Sequence, residues 1–175
     1  LRPDQSIILL MPASRPQELR YILPTFMKSA KKLQQKYPSL VVYIPSCRNA
    51  FDEIFKKAFR KYQVKGLVIS QKDSAKLKPY IYSLTKIALC KSGTVNMELA
   101  LYGIPQIVGY RVSRVTAFIA RKILNFRVRF ISPVNLLVNK LIIPEFVQRE
   151  FDEKKIFSKS CRILEGKSEK IKIKK

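Results

Sequence analysis

Histidine is absent from all 175 residues. Its absence removes Ser-His-Asp and Cys-His nucleophiles, and any His-ligated metal, from within the chain. Cysteine is scarce: Cys47, Cys90 and Cys161 are scattered, odd in number and form no C-x-x-C pair. Such usage predicts a reducing compartment without a structural disulfide. No apolar run approaches the roughly 18 residues of a membrane span, and the first residues lack a signal-peptide pattern. The chain starts at Leu1, without an initiator Met and shortly before its first strand-like run, which predicts a fragment of a longer protein. Acidic residues are also few, 12 against 35 Lys+Arg, for a net charge of +23. An excess of this size favours anionic partners such as nucleic acid, anionic lipid or a phosphorylated substrate. A Lys-rich surface of biased composition explains it equally well, because charge speaks to partners and not to fold.

What is present reads as an ordinary globular core. Hydrophobic residues make up 47% of the chain, enough at this length for one domain, or one domain with a tail, to bury a real core. Short apolar runs at 6–11, 40–44, 66–69, 86–90 and 105–109 have the length of buried strands. After Pro16, residues Ile22, Leu23, Phe26, Met27, Ala30, Leu33 and Tyr37 keep the spacing of one helix face, and Phe51, Ile54, Phe55, Ala58 and Tyr62 repeat it. Helical patterns continue between the later strands, the third beginning near Thr94 and a fourth over 113–124. Apolar strands separated by helices predict an α/β, Rossmann-like three-layer domain with a parallel sheet covered on both faces. That domain is assigned to 1–150, and 151–175 to a terminal helix carrying Ile156, Phe157, Cys161 and Leu164 on one face, followed by a basic tail.

In such sheets ligands bind beyond the carboxyl ends of the strands, near the point where strand order reverses. Two polar turns fall at strand ends. Ser92-Gly93-Thr94 follows an apolar strand and opens a helix that carries Glu98 in its second turn. A small turn lets a phosphate approach the backbone, and the free N–H groups at a helix start attract it. Glu98 is then within reach of a ribose diol. Read structurally, the same residues are a capped helix with an acid at its favourable end. The other turn, Pro12-Ala13-Ser14-Arg15, offers a hydroxyl and a planar guanidinium suited to a diphosphate. Its structural reading is Ser14 as the helix cap and Arg15 in solvent.

Two further segments carry polar groups among apolar ones. Residues 111–129 hold six cations and no acid, including Arg111, Arg114, Arg121 and Lys122. A basic amphipathic helix of this type suits an anionic lipid surface, or is simply a solvated face. Asn135 and Gln148 are amides set in the apolar runs around Pro133 and Pro144. Such amides either satisfy backbone groups or read a ligand.

Together these four segments resemble the lipid-A-disaccharide synthase family, glycosyltransferases of the B-type, two-Rossmann fold. The resemblance rests on Leu-Met-Pro-Ala-Ser-Arg-Pro-Gln-Glu-Leu, Lys-Ser-Gly-Thr-Val-Asn-Met-Glu-Leu-Ala-Leu-Tyr-Gly-Ile-Pro, Val-Gly-Tyr-Arg-Val-Ser and Ser-Pro-Val-Asn-Leu-Leu…Ile-Ile-Pro-Glu-Phe-Val-Gln, in that order over residues 5–150. The wording is closest to cyanobacterial or plastid-type members. The resemblance implies transfer of diacylglucosamine from a UDP donor to diacylglucosamine 1-phosphate, with inversion and without a metal or other cofactor. It implies a peripheral enzyme on the cytoplasmic side of an inner membrane (plastid or mitochondrion in a eukaryote). This chain would be the donor half, residues 1–150, with Ser14 and Arg15 on the diphosphate, Ser92, Gly93 and Thr94 as the phosphate turn, and Glu98 on the ribose. Arg111, Asn135 and Gln148 would sit near the sugar or the interdomain cleft. The acceptor domain with its catalytic acid or base would be missing, and the helix-leading acids Glu18, Asp52, Asp73 and Glu98 do not obviously replace it. The isolated chain is therefore expected to be inactive.

One departure is local: Ala13 stands where the family usually has Gly. If that position needed positive φ, the substitution would cost about 1 kcal/mol. The alternative function is a basic module that binds nucleic acid or membrane without catalysis. The sequence offers no RNA-recognition motif and no aromatics at a base-stacking spacing, which argues against nucleic acid.

Overall fold

The computed structural model describes residues 6–113 and 129–166. Six strands run in the order of the chain: β1 Ser6–Met11, β2 Leu40–Pro45, β3 Gly66–Ile69, β4 Thr85–Lys91, β5 Gln106–Tyr110 and β6 Glu145–Val147. The helices are α1 Pro16–Lys36, α2 Asp52–Tyr62, α3 Gln71–Leu84, α4 Val95–Leu101, α5 Pro133–Leu137 and α6 Glu153–Leu164, with a 3₁₀ turn at Asn49–Phe51 before α2. All strand pairs are parallel, in the order β3-β2-β1-β4-β5-β6. The chain builds outward from β1 to β3, then crosses to β4 and builds the other way. The switch point therefore lies between β1 and β4.

Side chains alternate along each strand, so the continuous apolar runs split between two cores. Ile8, Leu10, Val42, Ile44, Ile87, Leu89 and Ile107 pack with α1, α2 and α6. Ile7, Leu9, Val41, Tyr43, Ala88, Cys90 and Val108 pack with α3, α4 and α5 on the other face. This is the three-layer arrangement the sequence predicts. Helix α6 belongs to the first of these cores: Ile156 is fully buried there beside Phe26 and Phe151. Its start is fixed by Asp152, whose carboxylate accepts from the Lys154 and Lys155 amides at 2.8 and 3.2 Å.

Where bounds were expected, the strands agree to within a residue or so. Helix α3 was expected only as an unbounded helical stretch, and β6 was not expected. The expected helix over 113–124 lies, after Ser113, outside the described residues, as does the basic tail from 167 onward. Among the described residues no helix is long and apolar enough to cross a membrane.

The three cysteines are free, Cys47 exposed and the other two buried. Burial pushes the Cys90 thiol up to about 12, partly opposed by the Asn96 amide. Thiol titration of the native protein is accordingly expected to modify Cys47 rapidly and Cys90 and Cys161 only on unfolding. Rapid reaction of all three would contradict this packing.

Candidate functional site

The two turns singled out in the sequence lie at the tips of adjacent strands. Met11 at the end of β1 is paired in register with Cys90 near the end of β4. The turns are also joined directly. Lys91, the last residue of β4, places its ammonium 2.9 Å from the carboxylate of Glu18 in the first turn of α1, and both side chains are largely buried. Helices α1 and α4 then leave toward opposite faces of the sheet. Arg15 and Glu98 therefore belong to helix starts that cover opposite faces of the sheet, and the Glu18–Lys91 pair ties the first turn of α1 to the end of β4.

Around Arg15 the sequence's capping expectation shifts by one residue. Arg15 itself holds the helix-capping position with extended backbone, φ −122° and ψ 139°, and Pro16 opens α1. The Leu19 amide donates to its carbonyl at 3.1 Å. No side chain caps this helix start, so its first amides have no partner in the helix itself. Ser14 and Arg15 are both exposed. Arg15 and Glu18 act electrostatically on Tyr110 at the end of β5: burial raises that phenol's pKa, the Glu18 charge adds to the rise and Arg15 opposes it. Ala13 is not among the residues with positive φ, so the loop forms without the glycine usual at that position.

The second turn is built by buried amides. Asn96 accepts from the Gly93 amide at 2.9 Å and donates to the Lys91 carbonyl at 3.3 Å, to Gln106 Oε1 at 3.1 Å and to Cys90 Sγ at 3.2 Å. Gln106 returns a bond to the Asn96 carbonyl at 2.9 Å. Sequence reasoning missed this pair, which fixes the turn's shape from beneath. Ser92 Oγ donates to the Ile131 carbonyl, tying the turn to the segment before α5. Thr94 is exposed and starts α4 without a side-chain cap. Gly103, at φ +66°, ends the helix with a left-handed residue, and the Ile104 amide closes on the Leu99 carbonyl at 2.9 Å. Gly93 is different: its φ is not positive, and a Cβ built there would meet nothing within 4 Å. Neither backbone conformation nor packing requires glycine at this point.

Glu98, one turn into α4, forms an ion pair of 2.8 Å with Lys78 of α3 and is about one-third exposed. Burial raises the pKa of Tyr82 beside it, and the Glu98 charge adds to the rise. Of the other helix-leading acids, Asp73 has a local duty. Asp73 and Ser70 cap α3 reciprocally, the Asp73 amide donating to Ser70 Oγ at 3.2 Å and Ser70 Oγ to the carboxylate at 2.7 Å.

Three expected cleft residues are placed by their contacts. Asn135 is fully buried and saturated: it accepts from the Ile142 and Ile143 amides at 3.0 and 2.9 Å, and donates to the Ile143 carbonyl at 2.7 Å and Glu145 at 2.6 Å. That is the backbone-satisfying role of the two the sequence left open. Arg111 spends its guanidinium on the Gln148 and Phe151 carbonyls and stacks 5.2 Å over the Phe151 ring, clasping the β5 exit to the turn after β6. Gln148 occupies the left-handed region at φ 53°, and its amide donates to the Tyr110 carbonyl at 2.9 Å. Glu145, not singled out by sequence, accepts from the Ile131 and Ser132 amides at 2.8 Å each as well as from Asn135. Among the described residues no group of three His, Cys, Asp or Glu side chains is arranged to hold a metal.

Comparison with known proteins gives a consistent pattern. The family model described as LpxB, Lipid-A-disaccharide synthetase, matches residues 1–175. A lipid-A-disaccharide synthase of Prochlorococcus marinus (strain MIT 9313) is 46% identical over 170 residues, covering 97% of this chain and 43% of that protein. The corresponding protein of Gloeothece citriformis is 37% identical over 164 residues, covering 94% and 41%. The chain thus spans less than half the length of these relatives. Among solved structures, E. coli ADP-heptose lps heptosyltransferase II superposes with a TM-score of 0.61 at 9% identity, over 95% of this chain and 49% of that one. UDP-GlcNAc 2-epimerase from Neisseria meningitidis, bound to UDP-GlcNAc, gives 0.57 at 17% identity, over 94% and 37%. At such identities these two speak for the fold alone.

Proposed function

Because the chain belongs to the lipid-A-disaccharide synthetase family, we propose that it is the UDP-sugar-binding half of a lipid-A-disaccharide synthase. In this reading a UDP-diacylglucosamine donor passes its sugar to diacylglucosamine 1-phosphate with inversion and without a metal. The acceptor domain and the catalytic acid or base belong to the part of the relatives that this chain does not span. The assembled enzyme works peripherally on the cytoplasmic side of an inner membrane.

The observation that carries the reading is the Glu18–Lys91 bridge at the switch point, which holds the Arg15 and Ser92–Thr94 loops side by side. A diphosphate lying across that edge meets the Arg15 guanidinium and the first amides of α1 on one side, and the turn at Gly93 on the other. The open space over Gly93 is room for a phosphate that a side chain would fill. Further toward α4, Glu98 accepts from the ribose hydroxyls, with Lys78 sharing its charge. As the glycosidic bond breaks, Arg15 and the helix amides stabilise charge developing on the departing UDP, the task a cation performs elsewhere.

Titration calorimetry with UDP tests this. The parent chain is expected to bind saturably, and Arg15→Ala and Glu98→Ala each to weaken binding about tenfold or more, the worth of a charge-assisted hydrogen bond. Gly93→Ala is expected to leave the unfolding free energy within about 0.5 kcal/mol while also weakening UDP. Equal UDP affinity in the parent and both charge variants would overturn the assignment.

A further inference from the structure

The elements that cover the second core carry an apolar surface that nothing in the described residues covers. Leu136, Leu137, Val138 and Leu141 are 51, 72, 51 and 60% exposed. They fall within six residues, on the end of α5 and the turn that follows. Their neighbours Val134 and Ile143 point the other way, into the core with Leu99. The segment is therefore anchored by one set of aliphatic side chains and presents another set outward. It is also rigidly held: Asn135 bonds across it to Ile142 and Ile143, and Asn139 takes the left-handed turn at φ 48°. Helix α4 packs against α5, and its last residue, Leu101, is exposed as well.

Solvent-facing leucines in this density mark a surface that meets something other than water. The charges beside them indicate what. Arg129 donates to the Asn139 side chain at 3.3 Å, placing its guanidinium directly on the turn, and Lys140 stands exposed between Val138 and Leu141. No acidic residue occurs anywhere from 99 to 144, a stretch that contains seven Lys and Arg. Aliphatic side chains flanked by Arg129 and Lys140 fit the boundary of an anionic bilayer, where leucines enter the acyl region and cations stay among the phosphates.

We propose that Leu136, Leu137, Val138 and Leu141, flanked by Arg129 and Lys140, dock this domain onto an anionic lipid bilayer. The inference takes from the proposed function only the expectation of a membrane-peripheral enzyme; it names the surface and is read independently of nucleotide binding.

The chain contains no tryptophan, so a single introduced indole reports its surroundings alone. With vesicles of phosphatidylcholine containing phosphatidylglycerol, the fluorescence of Leu137→Trp is expected to shift to the blue and to be quenched by brominated acyl chains. Leu67→Trp, exposed on β3 at the other edge of the sheet, is expected to do neither. In co-sedimentation, the combined Leu136→Ser, Leu137→Ser and Leu141→Ser variant is expected to lose about tenfold in partitioning, with circular dichroism and UDP binding unchanged. Three results would overturn the proposal: an unshifted indole at 137 on vesicles that bind the protein, undiminished partitioning of the triple variant, or no vesicle binding by the parent. A sedimentation-velocity dimer abolished by the triple variant, with vesicle binding intact, would assign the patch to a second copy instead. Loss of UDP binding in the parent would count against the nucleotide site and leave the vesicle result standing.

Discussion

Replacing Phe151 with alanine is expected to lower the unfolding free energy by about 4 kcal/mol, read as a fall in the urea midpoint. Phe151 is fully buried although it sits in a connection rather than in a helix or strand. Its ring meets Phe26 of α1 edge to face at 5.0 Å and lies under the Arg111 guanidinium at 5.2 Å. Removing it empties a ring-sized space between α1 and β5 and takes away the surface on which Arg111 rests. Gly109 of β5 exists for the same ring: a Cβ there would lie 2.1 Å from Phe151 Cε2 and 2.9 Å from Phe26 Cζ. Gly109→Ala should therefore cost about 2 kcal/mol in the parent through overpacking, and clearly less where Phe151 is already alanine. Additive losses in the double variant would show that the two residues do not share this space. Arg111 is tied into the same unit, so its cleft role expected from family resemblance must be weighed against this structural one.

The fold was legible where burial on both faces wrote continuous apolar runs, as in Ile7 to Leu10 and Val41 to Ile44, and where one-sided burial wrote the face from Ile22 to Leu33 on α1. Strand β6 left no such mark. Its three residues, Glu145 to Val147, are half-buried at the sheet edge and lead with an acid. Helix α3 was equally faint, because it carries Pro79 inside an otherwise unbroken helix and only Ile81 and Tyr82 are buried. Strand order was not readable at all, since periodicity records which side of an element is covered and not which strand lies beside it.

The candidate site divides in the same manner. Ser92, Gly93, Thr94 and Glu98 stand out because a strand, a small turn and a helix are contiguous in sequence. The Asn96–Gln106 pair beneath them joins residues ten apart through side-chain amides, and Glu145 reaches back to Ile131 and Ser132 across α5. Polar satisfaction of this kind depends on which backbone groups folding strands without partners, and no sequence pattern lists them. Asn135 shows the consequence: amide chemistry alone left two roles open, and only its four contacts assign one.

Glu145→Ala is expected to cost about 3 kcal/mol, second only to the loss of Phe151. The carboxylate takes two backbone amides at 2.8 Å and the Asn135 amide at 2.6 Å, so truncation leaves three donors unpaired in and around the second core. Glu145→Gln removes one acceptor and turns a donor toward donors; it should recover less than half of the loss despite matching in size. The effect should travel. Ile131, whose amide Glu145 holds, uses its carbonyl to accept from Ser92 Oγ at the second turn. If that turn holds a phosphate, Glu145→Ala should weaken UDP binding even at low temperature, where the variant stays folded, although the carboxylate never touches the nucleotide. Ser92→Ala breaks the same tie at its other end and should weaken UDP by a similar factor with little loss of stability. Unaltered UDP affinity in a folded Glu145→Ala protein would mean that the turn keeps its shape without the 131–145 strap.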